Sequence, residues 1–112
     1  MTGERERRVG QNEALFRQVN DRVEDLNAAF ATMTRVFDVV CECGSTDCMA
    51  QVAVPRDAYE RVRAEPTWFI MRPGHEVADV EHVIEEHGGY NVVRKDKGLP
   101  EEIARQTDLR NN

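Results

Sequence analysis

A chain of 112 residues, 40% hydrophobic and 32% charged, has enough apolar content to bury one core and too much to stay unfolded in water. A domain of this size is marginal on its core alone, so a bound metal would add to its stability. The net charge of −6 repels phosphate and argues against a nucleic-acid partner.

No apolar run reaches the roughly 18 residues that span a membrane. The charged residues 1–8 lead into no signal-peptide segment. The expectation is a cytoplasmic protein without membrane contact. In that compartment three cysteines point to metal or redox chemistry before disulfides.

Residues 1–8 read as a flexible charged lead-in. From Val9 a seven-residue period sets in. Val9, Phe16, Val23, Phe30 and Phe37 recur, with Asn12, Val19, Leu26 and Met33 between them. Alternating steps of three and four place these residues on one stripe of a helix. The spacing predicts a helix from residue 9 to about 35, about 40 Å long. Its other faces alternate in charge through Glu13, Arg17, Asp21, Arg22, Glu24 and Asp25, as a solvated surface would. The stripe is expected to cover the domain's own sheet. The other reading is a homodimer or protein partner met through this helix, with Asn12 setting the register.

Residues 38–43 and 49–54 read as two strands of a hairpin with the cysteines at its tip. Pro55 opens a short helix to about residue 64, with Ala58, Tyr59 and Val62 as its apolar face. Trp68-Phe69-Ile70-Met71 reads as a buried strand, and Arg72-Pro73-Gly74-His75 as a turn. Val77, Val80, Val83, Ile84 and His87 predict a helix over 77–87, stopped by Gly88-Gly89. Residues 90–94 read as a strand. The order strand, helix, strand then implies a crossover and a parallel pair. A last helix runs from Leu99 to near Gln106, and residues 108–112 read as a loose tail.

The fold class is therefore α+β: a long N-terminal helix packed on a small mixed sheet, with a zinc-stabilised hairpin, in one domain over 9–107. The expected core holds Phe16, Val19, Val23, Leu26, Phe30, Val40, Val52, Val54, Trp68, Ile70, Val80, Ile84, Val92 and Val93.

The chemistry concentrates in Cys41-Glu42-Cys43-Gly44-Ser45-Thr46-Asp47-Cys48, a C-x-C-G-x3-C spacing. Zinc takes thiolate and imidazole ligands at about 2.0–2.3 Å in a tetrahedron. Three thiolates within eight residues reach one ion if the backbone turns tightly, and Gly44 allows that turn. Amide hydrogens in such a knuckle can donate to the sulfurs and spread their charge. Glu42, between two ligands, is expected to point to the opposite face, away from the metal. Iron fits less well, because clusters usually take four cysteines.

This stretch resembles the post-SET zinc motif of SET-domain lysine methyltransferases, in which C-x-C-G-x3-C gives three ligands and a distant cysteine the fourth. The resemblance covers these eight residues and implies a metal role for Cys41, Cys43 and Cys48, without the methyltransferase activity. Over most of the chain, Asn12-Glu13-x-Leu15-Phe16-Arg17-x-x-Asn20, the cysteine motif, Pro73-Gly74-His75 and Tyr90-x-Val92-Val93-x-Lys95 are similar to a group of short bacterial proteins. That similarity implies no function.

With no fourth cysteine, His75 is the chosen fourth ligand, because its turn follows a core strand directly. Asp47 or a water is the remaining alternative. His82 is expected on a polar helix face, paired with Glu86, and His87 at a helix C-terminus.

The expected function is a non-enzymatic protein-interaction or regulatory module with one structural Zn2+ held by Cys41, Cys43, Cys48 and His75, acting on an unidentified protein partner. A zinc-thiolate redox or metal sensor is the first alternative and a zinc-dependent enzyme the second. No catalytic residue is assigned. The sequence has no H-E-x-x-H, no G-x-S-x-G, no phosphate-binding glycine loop and no P-C-x-x-C.

Overall fold

The seven-residue pattern does build a long helix, α1, spanning Thr2–Phe30. Its 29 residues make about 44 Å, which fits only the long axis of a molecule measuring 47 × 30 × 24 Å. The computed structural model describes residues 2–30, 35–45 and 47–110, and for residues 2 and 27–30 the backbone alone. The helix takes in the stretch expected to be a flexible lead-in. The Glu and Arg residues there are good helix formers, and Arg5 pairs with Asp79. The expected helix end near residue 35 falls outside the described residues.

The face that α1 buries is not the apolar one. Gly10, Glu13, Ala14, Arg17, Asn20 and Glu24 are buried. Val19 and Leu26, expected in the core, are 41% and 60% exposed. Phe16 and Val23 are half-buried, and the side chain of Phe30 lies outside the described residues. The reason is the partners that the rest of the chain offers. Asn20 brackets the backbone of Val40, accepting from its N–H at 2.8 Å and donating to its carbonyl at 2.8 Å. Arg17 donates to the carbonyls of Pro66 (2.6 Å) and Ala104 (2.9 Å) and lies 4.3 Å over the Phe69 ring. Buried backbone groups need polar partners, and the polar face of α1 supplies them.

β1 (Val36–Val40) and β2 (Gln51–Pro55) form the expected antiparallel hairpin, with Phe37 opposite Val54 and Val39 opposite Val52. These four point inward, alternating with exposed neighbours. α2 (Arg56–Arg63) follows Pro55 and lays Tyr59 and Val62 on that face. β3 (Trp68–Met71), β4 (Glu81–Glu86) and β5 (Asn91–Lys95) make a second sheet in the order β3-β5-β4. α3 (Leu99–Gln106) packs against α1 and β5. Ile70 and Val92 join the hairpin residues in one core, against which Trp68 and Ile84 pack half-buried.

Three expectations need correction. Residues 77–87 are not a helix. Val77 begins a single turn, closed by the Val80 and Glu81 amides on its carbonyl, and β4 follows. A register shift between Val83 and Glu85 breaks the strand's alternation and leaves Val83 and Ile84 both half-buried. That break imitates a helical period. The sheet is consequently antiparallel throughout instead of mixed, since β4 and β5 form a hairpin and β5 lies between β4 and β3. Of the stretch expected to be a loose tail, residues 108–110 are anchored, and 111–112 lie outside the described residues. Asp108 is fully buried against Arg63 at 2.8 Å, and Arg110 reaches Glu24 and Glu60.

Among the described residues no helix is long and apolar enough to cross a membrane.

Candidate metal centre

The hairpin and the second sheet deliver the four candidate ligands from two directions. The Cys41 amide donates to the Ala50 carbonyl at 3.0 Å, carrying the β1–β2 ladder one step further. The Glu42 amide then donates to the Ile70 carbonyl at 2.9 Å, which joins the cysteine loop to the edge of β3. Just beyond β3, the chain reverses through Gly74 at φ 88°, a left-handed conformation suited to glycine. The His75 amide donates back to the Arg72 carbonyl at 3.1 Å. The imidazole thereby comes to the loop.

The Sγ atoms of Cys41, Cys43 and Cys48 and a ring nitrogen of His75 all lie within 4.8 Å of one another. His75 Nδ1 is 3.5 Å from Cys41 Sγ and 3.5 Å from Cys48 Sγ. A zinc tetrahedron with Zn–S near 2.3 Å and Zn–N near 2.05 Å has S···N edges of about 3.6 Å. The two measured edges fit that figure. His82 and His87 lie elsewhere. His82 Nδ1 is 2.8 Å from Asp96, not paired with Glu86, because it sits on a strand opposite Arg94. His87 Nε2 is 2.8 Å from Glu85, and its ring stacks on Tyr90 at 4.7 Å. Asp47, the alternative ligand, is exposed and outside the group.

Burial pushes the Cys41 thiol up to about 12, and burial likewise raises Cys43. Thiolates at these positions need positive charge beside them, which a divalent ion supplies on binding. The backbone contributes as well. The Arg72 amide donates to Cys41 Sγ at 3.2 Å. Cys41 and Cys43 are buried, while Cys48 and His75 are half-buried. A cleft of about 310 Å³, lined by Cys43, Ser45, Asp47, Cys48, His75 and Val77, opens beside them.

Two residues of the motif that are not cysteines, Glu42 and Gly44, clamp this loop to the body. Glu42, two residues past the end of β1, turns toward α1 and β3. It is fully buried, accepting from Asn20 Nδ2 at 2.7 Å and from the Ile70 amide at 3.0 Å. Burial pushes its carboxyl up to about 7 against the pull of those hydrogen bonds. Gly44, at φ 77°, lies flat on α1: a Cβ there would come 2.9 Å from Glu13 Cγ and 3.1 Å from Glu13 N. Next to it, Lys95 Nζ is buried between Glu13 and Glu81, 2.8 Å from Glu81 Oε1. For the residues of α1 that meet this set, the sequence signal is the spacing of Glu13, Arg17, Asn20 and Glu24, which is as helical as that of the apolar stripe.

No protein-family model matches this chain, and no curated protein or solved structure matches it.

Proposed function

We propose that this chain is a small zinc-binding interaction or regulatory module, non-enzymatic, in which one Zn2+ on Cys41, Cys43, Cys48 and His75 has a structural role. The convergence of these four donors carries the reading. The way the loop is tied in supports a structural role over a catalytic one. Its Glu42 and Gly44 are packed into α1 and β3, so the ion would hold together elements that are far apart in sequence. The post-SET resemblance of the cysteine spacing points the same way.

The test is metal content per chain, on protein purified without chelator or added metal, for the wild type, Cys43→Ser and His75→Ala. One zinc per chain is expected in the wild type. Structural zinc contributes about 10–16 kcal/mol, comparable with the whole stability of a domain, about 5–15 kcal/mol. Cys43→Ser should therefore fail to fold, and His75→Ala should hold the ion weakly. A Cys43→Ser chain that melts like the wild type would sink the structural reading. Tight zinc in His75→Ala would move the fourth position to Asp47 or a water and bring the enzyme reading forward.

One observation favours a second reading, a thiolate redox sensor. Cys48 is half-buried beside the open cleft, within reach of a small oxidant. Hydrogen peroxide, with two protons from solvent, would take two electrons from two thiolates, forming one disulfide and two waters and releasing the ion. Zinc released by mild peroxide and rebound after thiol reduction is the result this reading requires.

A further inference from the structure

The fold leaves one line of apolar side chains of α1 on the outside. Leu15, Val19 and Leu26 are 55%, 41% and 60% exposed. Leu109, 71% exposed, sits beside this face across a cleft that Gln18, Arg22 and Asp25 line. We propose that this face docks a second copy of the chain, the two α1 helices running antiparallel about a two-fold axis level with residue 17. The proposal deepens the interaction-module reading by naming the partner, and it does not depend on how the metal is held.

Spacing and charge together select this occupant. Arg8, Asn12, Leu15, Val19, Arg22 and Leu26 follow one another in steps of four and three, the seam of a two-stranded coil. When facing positions sum to 34, Leu15 meets Val19 of the second copy and Val19 meets its Leu15. Asn12 faces Arg22, an amide oxygen against a guanidinium. Arg8 falls level with Leu26, next to the carboxylate of Asp25. A parallel pair in register would instead set Arg8 on Arg8 and Arg22 on Arg22 within the seam, and opposed like charges disfavour it. An antiparallel pair is also a closed two-fold arrangement that ends at two chains.

The area suffices. The helices overlap over positions 4–30, about 40 Å. Half the wall of a cylinder that long and about 11 Å across is about 700 Å², the upper bound on what each chain can bury there. Standard stable interfaces bury about 600–1,000 Å² per partner.

The experiment is sedimentation equilibrium on the full zinc-loaded chain, with metal content measured on the same samples. The wild type should be a dimer. Val19→Asp changes an exposed position outside the core. It should raise the dimer dissociation constant by more than about tenfold, with zinc content and circular dichroism unchanged. Arg8→Glu and Asp25→Arg should each weaken the dimer, and the double variant should restore it. Those positions meet only in the antiparallel pair, because in a parallel one they stand 17 residues, about 25 Å, apart. A wild type that stays monomeric, a dimer indifferent to Val19→Asp, or a double variant no tighter than the singles would each overturn the proposal. A zinc-loaded monomer sinks the dimer and leaves the metal reading intact, whereas a metal-free dimer does the reverse.

Discussion

Along α1, the inner face carries Glu13, Arg17, Asn20 and Glu24, while the outer face carries Leu15, Val19 and Leu26. Turning the helix over would bury the leucines and the valine, each worth about 1.5–3 kcal/mol. It would also strip polar partners from the Val40 backbone and from the carbonyls of Pro66 and Ala104. A buried backbone group left unpaired costs about 1–3 kcal/mol, and Lys95 would lose Glu13 as well. The two totals are of similar size, so the choice of face rests on fit. A hydrophobic face tolerates sliding by a turn, but Asn20 matches the backbone of Val40 alone. The apolar pattern of a helix says how much it can bury, whereas the unpaired groups of its neighbours decide which side they take.

The comparison breaks first if the inner face can lose a charge cheaply. Lys95→Met leaves Glu13 and Glu81 facing each other with no cation between them. Removing one partner from a buried ion pair costs about 3–5 kcal/mol, and urea unfolding of the zinc-loaded chain should show that loss. A loss below about 1 kcal/mol would place these groups among those that water reaches. Gly44→Ala comes next. The left-handed backbone alone costs an alanine about 1–2 kcal/mol. The added methyl would meet the Glu13 backbone nitrogen at 3.1 Å, which cannot give way as a side-chain end could. The expected total is about 2–3 kcal/mol, with weaker zinc retention. Wild-type stability in this variant would mean that the knuckle and the inner face of α1 do not bear on each other.

The cysteine knuckle was legible because its determinants are local. Eight residues supply the three thiols and the turn, and His75 comes to them from a turn next to a buried strand. The hairpin, α2, β3 and α3 were legible for the same reason, each resting on a run of apolar residues or a proline. Two things were hidden. The segment at 77–87 carries a bulge, and one unpaired residue is enough to turn a two-residue period into something close to a helical one. Reading it as a helix then forced the parallel pair. The inner face of α1 was hidden for a different reason. Its charges alternate in sign as a solvated surface does, and their partners, Lys95, Pro66 and Ala104, lie 49 to 87 residues away. Only the three-dimensional arrangement tells a buried charge set from a wet one.

The finest test of the inner face follows one proton. Glu81 uses both oxygens, accepting from the Val77 amide at 2.9 Å and from Lys95 at 2.8 Å. Glu13 shares the lysine, but its Oε2 is buried with no hydrogen-bond partner among the described residues. Burial first, and the charge of Glu81 second, raise the Glu13 carboxyl well above 4.5. Burial works to lower Lys95, and the two carboxylates outweigh it and raise it. The consistent state is a protonated Glu13 beside a Lys95–Glu81 pair, which leaves no net charge buried. A carboxyl with a raised folded pKa binds its proton more tightly in the fold. Its contribution to stability is whole below about 4.5 and is lost as pH climbs toward the folded value, at no more than about 1.4 kcal/mol per pH unit. Glu13→Gln can donate to Glu81 and has no proton to lose. Between about pH 5 and pH 8, at fixed zinc, the wild type should therefore lose stability relative to Glu13→Gln. Glu42 is present in both chains and drops out of the difference. Parallel curves would mean that Glu13 keeps its charge inside the fold, and that Lys95 alone holds two buried carboxylates.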